Sequence, residues 1–431
     1  MSEYEYVLAS KSGLPVSTRW KPVKRKENIT VYEDQIVVED MKRRRRKTKS
    51  IAELAETTRV GKAFSKSLGA KLCPSPDNIP ESEVQEPPVA PKMVWMGTVA
   101  CELDDIMYGI VSQKDEVTRI NSSYSGNDVE DFATLASLET ATPSDPFHGL
   151  QLKWEVSSSL SKANPVWYCR DFVFLEATGI TKCPSTGQRV GYQILHSLDV
   201  RGAPELLGRK LIRGKMTVYQ LFRQKAKGTV EVYAKASIDL AGSVPKSMAS
   251  FATVEAANSV DKAAKCARKR KLNWLLATAE TNAVSYYVQQ SDSCCSVCTR
   301  GLRTTFGHKS SFSCQICTSR VCHRCHLRQK LSFVDDKNSF IIGQKALDLC
   351  TRCVHTSTQM NARRVALEER AYKDPAFMYK YYPRQKKVSP ENDNVCCKDH
   401  SLSTATETDM DYLTLKVDLF DRAVHALHRL F

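Results

Sequence analysis

Long apolar runs are missing from this 431-residue chain. Nowhere do eighteen apolar residues follow one another, so no membrane-crossing helix is expected. The opening residues, MSEYEYVLASKSGLPV, hold no basic stretch followed by an apolar run, and no signal peptide is expected. Glycine is scarce, at 18 residues, and none of the glycine-rich loops that cradle phosphates occurs. There is also no nucleophile elbow and no His-Glu-x-x-His, so the chain reads as a non-enzyme. Positive charge, in contrast, is plentiful. The 63 Lys and Arg outnumber 48 Asp and Glu, for a formal net charge of +15. Such an excess attracts a membrane surface, nucleic acid or acidic proteins. The length allows two or three domains.

Sixteen cysteines are present, and nine of them lie between Cys294 and Cys353. Eight form four pairs of one spacing: Cys295/Cys298, Cys314/Cys317, Cys322/Cys325 and Cys350/Cys353. Thiolates spaced this way turn onto one ion, and two pairs close a tetrahedral zinc site. Disulfides belong to secreted chains; without a signal peptide the expected compartment is cytoplasmic and reducing. Fifteen, four and twenty-four residues separate successive pairs. A gap of four is too short for the second and third pairs to share a metal. The expected arrangement is interleaved, with Cys295, Cys298, Cys322 and Cys325 on one Zn2+ and Cys314, Cys317, Cys350 and Cys353 on the other. All eight are ligands, so no coordination position is left for a reactive water and both zinc ions are structural. His308, His323 and His326 fall off the ligand spacing and are read as surface residues.

This order and rhythm resembles the FYVE-type zinc finger, a cross-braced module that sits on membranes rich in phosphatidylinositol 3-phosphate. The RING finger of ubiquitin ligases is the competing family, but it places a histidine where this chain has only cysteine. The phosphoinositide-reading signatures of the FYVE family are not matched. No tryptophan follows Trp274; the basic second signature is replaced by Ser310, Ser311, Phe312, Ser313 and Gln315; and Asp348 stands where a cation is expected. Serine and glutamine cannot reproduce the charge-assisted donors a phosphomonoester requires. The ten Lys and Arg between Cys294 and Cys353, against three acids, imply salt-sensitive adsorption to anionic surfaces without head-group selectivity, helped by Phe306 in the loop where the family inserts apolar side chains.

Upstream, the pattern is a series of strands closed by a helix. Strand signals fall at Ile29–Tyr32, Val94–Val99, Leu150–Val156, Val166–Thr178, Arg189–Ser197, Lys215–Gln224 and Thr229–Asp239, with turn residues between them. Asp104–Ser112 has helical spacing, and Phe132, Leu135 and Leu138 suit a strand or short helix. A long helix is predicted from Pro245 to Val288, with Met248, Phe251, Val254, Ala257, Val260 and Ala264 on one stripe. Residues 41–92 interrupt this with the basic octet 42–49 and a Pro- and Glu-rich run, a disordered insertion by composition.

Trp20 with the strand after it, the Trp167–Phe174 segment containing Arg170, Asp171, Phe172 and Val173, and the Asp239…Gly242…Pro245 approach to the long helix resemble the START family. The resemblance implies an α+β helix-grip, a curved antiparallel sheet wrapped around a cavity for one lipid. Arg170 and Asp171 are adjacent on a strand, so only one faces inward, and they are the candidate lipid contacts; a structural ion pair is the alternative. The basic cluster Lys262, Lys265, Arg268, Lys269, Arg270 and Lys271 suits an anionic membrane or a solvated helix face equally.

The resulting division is a START-like lipid-binding domain over 1–290, a FYVE-like finger over 291–356 and a helical or disordered tail over 357–431. The tail carries the apolar face Leu413, Val417, Phe420, Val424, Leu427 and Phe431. The function expected is non-enzymatic: lipid in the cavity, with the finger localising the protein on endosomal or other anionic membranes or on a protein partner. A ubiquitin-ligase adaptor is one alternative. The other is a nuclear or nucleic-acid interaction protein that uses residues 42–49 for import.

Overall fold

In the computed structural model, residues 19–36, 38–39, 90–125, 129–158, 168–242, 244, 248, 250, 254, 259–279, 293–302, 311–334, 342–374, 377 and 381 are described. The basic octet, the proline-rich run, Trp167, Phe251, Phe306, His308 and the apolar face beyond Leu413 lie outside these residues.

Alternating side chains dictate most of the strands. They are β1 (Trp20–Lys26), β2 (Ile29–Asp34), β3 (Lys92–Val99), β4 (Val129–Glu139), β5 (Gly149–Ser157), β6 (Cys169–Lys182), β7 (Arg189–Ser197), β8 (Leu211–Arg213), β9 (Lys215–Ala226) and β10 (Thr229–Asp239). They form one curved ten-stranded sheet in the order β1-β2-β3-β10-β9-β7-β6-β5-β4. Every neighbour along this path is antiparallel, and only the short β8 joins β6 in parallel. Strand β6 is buried on both faces along most of its length. Leu198, Val200 and Ala203 cover its outer face beside Val173 and Leu175, which explains why its sequence is a nearly continuous apolar run rather than an alternation.

Helices α1 (Leu103–Ile110), α2 (Asp115–Ser125) and α3 (Ser259–Ala277) lie against the other face. Val260, Ala263, Ala264 and Ala267 of α3 join Ile106 and Met107 of α1 and Trp95, Phe222, Val230 and Val232 of the sheet in the main core. Small residues let the two helices approach closely. A Cβ on Gly109 would stand 1.9 Å from the Ala263 carbonyl oxygen, so only glycine fits there. Helix α2 has no counterpart among the elements expected from sequence. Its chain, DEVTRINSSYS, buries only Val117 and Tyr124, too little for a hydrophobic stripe to declare it.

The small C-terminal module contains β11 (Ser311–Ser313) paired with β12 (Arg320–Cys322), and β13 (His326–Val334) paired with β14 (Ile342–Cys350). The second hairpin accounts for the long gap before the fourth cysteine pair. Helices α4 (Thr351–Gln359) and α5 (Ala362–Lys373) follow. Ala362 and Val365 of α5 are buried in the main core, so the chain returns from the finger to the first domain.

Candidate functional site

Between the sheet, α2 and α3 the described residues line a partly open cavity of about 340 Å³, within the range of small-ligand sites. Strand alternation and register decide what lines it. The far end of the concave face, at Phe222, Val230 and Val232, is filled by α1 and α3. Next comes a polar row across neighbouring strands: Lys153 on β5, Glu176 on β6, Gln193 on β7 and Gln220 on β9, the last two directly paired. Beyond it the lining turns apolar, with Phe174, Leu195 and Val218, then Phe172, Met216, Ile238 and Leu240. Arg170 closes the series.

Arg170 and Asp171 take opposite faces, as adjacent strand positions must, and both are buried. Arg170 lines the cavity, but its guanidinium is held by backbone. Nε donates to the Leu240 carbonyl at 2.7 Å, Nη1 to Tyr168 at 2.5 Å and Nη2 to Ala241 at 3.3 Å. Burial lowers its pKa. Asp171 turns outward, where its Oδ2 accepts from Arg213 Nη2 at 2.8 Å, Arg213 Nε at 3.0 Å and Trp154 Nε1 at 3.0 Å. The approach to the long helix is a tight turn: Asp239 Oδ1 accepts from the Ala241 N–H, and Gly242 adopts φ +65°.

The polar row was hidden from sequence reasoning. Lys153 Nζ contacts Glu176 Oε2 at 2.5 Å and donates to the Ser112 carbonyl at 2.8 Å, and Gln193 donates to Glu176 Oε1 at 2.6 Å. In Gln151-Leu-Lys153-Trp-Glu155, polar residues at every second position read as a solvent face. Curvature and the covering helices turn that face inward. Glu155 also lines the cavity, and burial, aided by Glu176 and opposed by Lys153, pushes its carboxyl up to about 7. A carboxyl that holds its proton more tightly when folded weakens the fold as pH rises from its ordinary range near 4.5 through 7. The penalty is complete above 7, at most about 3 kcal/mol. Glu155→Gln is therefore expected to remove this slope and to be the more stable form at pH 8, with little difference at pH 4.5. Urea unfolding at both pH values checks it, and parallel pH profiles would refute it.

The eight paired cysteines come together as the interleaved tetrads expected, Cys295, Cys298, Cys322 and Cys325 in one and Cys314, Cys317, Cys350 and Cys353 in the other, with the sulfurs of each within 4.8 Å of one another. Cys298 and Cys322 Sγ are 3.7 Å apart, Cys317 and Cys350 Sγ 3.8 Å. A tetrahedral thiolate cage with metal–sulfur bonds of about 2.3 Å requires sulfur separations of about 3.8 Å. The donors therefore fit an ion, and they are far too distant for disulfides. Two knuckles share one geometry. Thr299 N–H donates to Cys295 O and Cys295 N–H to Arg300 O, both 2.8 Å; Thr318 and Cys314 repeat the pattern. Thr299 and Thr318 sit at φ 57° and 58°, a region β-branched residues avoid. Burial alone would raise the Cys295 thiol, and backbone N–H groups of Cys298, Cys322 and Val297 oppose it, whereas Cys325 of the same tetrad is raised by burial.

The finger is seated on α3. Leu272, Leu275 and Leu276 at the end of that helix share a core with the tetrads, Val321, Leu331 and Leu349. Around this core, Tyr124 OH accepts from the Ser332 N–H at 2.7 Å, Asn273 Nδ2 donates to the Ser332 carbonyl at 2.9 Å, and Lys269 Nζ donates to Gln329 Oε1 at 2.7 Å. The basic cluster on α3 is thus neither a uniform membrane face nor a uniformly solvated one. Lys265 and Arg268 are exposed, whereas Arg270 and Lys271 are buried. Lys271 pairs with Asp105 at 2.5 Å. His326 is not a surface residue: its ring stacks on Phe312 at 3.8 Å and its Nε2 lies 2.8 Å from Asp348 Oδ1.

No protein-family model matches the chain, and no curated protein matches it in sequence. Among solved structures, human STARD10 is 10% identical at a TM-score of 0.34, covering 58% of this chain and 74% of its own. Human StAR-related lipid transfer protein 5 is 13% identical at 0.36, with coverages of 61% and 93%. A STAR-related lipid transfer protein from Xanthomonas axonopodis is 15% identical at 0.32, with coverages of 57% and 96%. At these TM-scores the likenesses add nothing to the architecture. The chain's own strand pairing defines an α+β helix-grip followed by a small module with two cysteine tetrads.

Proposed function

We propose that this chain binds one lipid in the cavity between its sheet and α3, and that the tetrads hold two structural zinc ions that keep the finger folded against that helix. The observation that carries the first reading is the gradient along the cavity, from the polar row Lys153, Glu176, Gln193 and Gln220 to the apolar ring Phe172, Met216, Ile238 and Leu240. An amphipathic molecule matches that order, head inward and tail toward Arg170. The tetrahedral spacing of four sulfurs in each tetrad supports zinc. Native mass spectrometry of the purified full chain tests both: two zinc ions and one co-purifying lipid mass are expected, and protein carrying neither would refute the proposal.

The finger then localises the protein to an anionic membrane or a partner without reading a particular head group. The residues at the family's phosphoinositide signatures are turned on one another. Gln315 N–H donates to the Asp348 carbonyl at 2.9 Å, Asp348 N–H returns to Gln315 Oε1 at 2.8 Å, and Asp348 faces His326. Sedimentation of the full chain with vesicles of equal charge density is expected to show less than about tenfold preference, roughly 1.4 kcal/mol, for phosphatidylinositol 3-phosphate. A larger preference would mean that a head-group site exists elsewhere.

A further inference from the structure

Helix α2 is both a wall of the cavity and a place where the finger meets the first domain. Thr118, Asn121, Ser122 and Ser125, three or four residues apart, share one face of the helix and line the cavity. Its own hold on the domain is slight. It buries only Val117 and Tyr124. Asp115 Oδ1 ties the first turn to β4, accepting from the Thr134 N–H at 3.2 Å and the Thr134 hydroxyl at 2.7 Å. Asn121 Nδ2 donates to the Gly109 carbonyl at 3.2 Å and to Ser112 Oγ at 2.9 Å, and the Cys266 thiol of α3 lies 3.5 Å from the Asn121 carbonyl. An element with so little buried apolar surface belongs to the least stable part of a fold.

The last turn is held by the finger. Ser332 of β13 is fully buried. Its N–H donates to the Tyr124 hydroxyl at 2.7 Å, and its carbonyl accepts from Asn273 Nδ2 of α3 at 2.9 Å. Its own hydroxyl lies 2.7 Å from Ser123 Oγ and accepts from Gln344 Nε2 of β14 at 3.2 Å. One residue of the finger hairpin thereby joins α2 to α3. The hairpin itself starts and ends at the tetrads, because His326, next to Cys325, pairs with Cys350.

We propose that the finger hairpin is a latch on α2. It holds this wall against the cavity, and release of the Ser332 contacts lets the wall lift about its Asp115 end so that ligand enters and leaves. In taking the ligand to be a lipid, the inference rests on the reading above, but the motion has a reporter of its own. Cys266 lines the cavity beneath α2 and is 2% exposed, so an alkylating reagent reaches it when α2 lifts. Tyr124→Phe combined with Ser123→Ala removes both side-chain contacts to Ser332 and keeps the Tyr124 ring. In the full chain, iodoacetamide labelling of Cys266, read by peptide mass spectrometry, is expected to quicken about tenfold or more. Cys101, buried in the main core, should react at its wild-type rate. Should the pair not fold, Tyr124→Phe alone is read the same way, with about threefold expected. An unchanged rate at Cys266 would overturn the latch, and so would equal acceleration at both thiols, the mark of general loosening. The ligand arm uses a fluorescent sterol and a fluorescent phosphatidylcholine. Uptake and release should quicken by a similar factor, leaving Kd within about threefold, because one opening step precedes both. Faster release alone, with weaker binding, would make α2 a ligand contact instead and would overturn the latch. Failure of both probes to bind, with no lipid co-purifying, would overturn the lipid-binding reading and leave the thiol rates to decide the latch.

Discussion

Cys314→Ser in the full chain is expected to lower bound zinc from two ions to one or none and to unfold the finger. Structural zinc supplies about 10–16 kcal/mol of apparent binding energy in such modules, whereas the finger's own apolar core is small and includes three leucines borrowed from α3. The main sheet should stay folded, because its core of Trp95, Ile106, Phe222, Val230 and Val232 contains no finger residue. It should nevertheless be weakened. Loss of the finger uncovers Leu272, Leu275 and Leu276 and strips Tyr124 and Asn273 of their Ser332 partners. Partial exposure of three leucines is worth about 3 kcal/mol, roughly 5–10 °C in Tm for a domain of this size. Metal analysis, thermal unfolding and hydrogen exchange together decide the matter. Exchange protection should fall at 269–277 and around Tyr124. Retention of both metal ions with unchanged protection at α3 would show that the tetrad does not hold the finger in place.

The second large effect is expected at Arg270, on the opposite side of the same helix. Its Nη1 donates to the Tyr108 and Val111 carbonyls at 2.5 and 3.2 Å, closing the last turn of α1, and its Nη2 reaches Glu369 Oε2 of α5 at 3.1 Å. The guanidinium stacks on the Tyr108 ring at 3.9 Å, and Tyr108 OH donates to the same Glu369 oxygen at 2.8 Å. Arg270→Ala removes one cation and leaves the half-buried Glu369 with Lys373, at 3.2 Å, as its remaining cationic partner, so the loss should fall below the about 3–5 kcal/mol typical of stranding a buried charge. The pH dependence separates charge from lost packing. In the native protein burial would raise the Glu369 carboxyl, but Arg270 beside it holds it below the usual carboxylate range. The pair's contribution is therefore present above about pH 4.5 and is lost as pH falls below that value. Without Arg270 only Lys373 and the Tyr108 hydroxyl remain to hold the carboxylate against burial, so the deficit should be greatest at neutral pH and shrink toward pH 4.5. Arg270→Met combined with Glu369→Leu should recover much of the loss at pH 7. A deficit independent of pH, with no recovery in the double variant, would assign the effect to packing alone.

Local pattern was enough for a large part of this molecule. Strands β7 and β10 begin and end where alternation and turn residues place them, because period-two burial and a glycine- or proline-marked turn are properties of neighbouring residues. Spacing marks the four cysteine pairs and keeps the second and third off one ion, while the choice of interleaved over sequential tetrads belongs to the fold. Tertiary structure decided the rest. The polar positions Lys153, Glu155, Gln193 and Gln220 are indistinguishable in sequence from a wet strand face, and only the curvature of the sheet under α2 and α3 makes them a cavity wall. Arg270 and Lys271 sit among solvated lysines in the chain yet are buried, because α1, α4 and α5 arrive from distant positions to meet them. Helix α2 was illegible for the same reason: its bonds run to the finger, about 200 residues away in sequence, and a polar helix stabilised by a partner that far off leaves no periodic signal of its own.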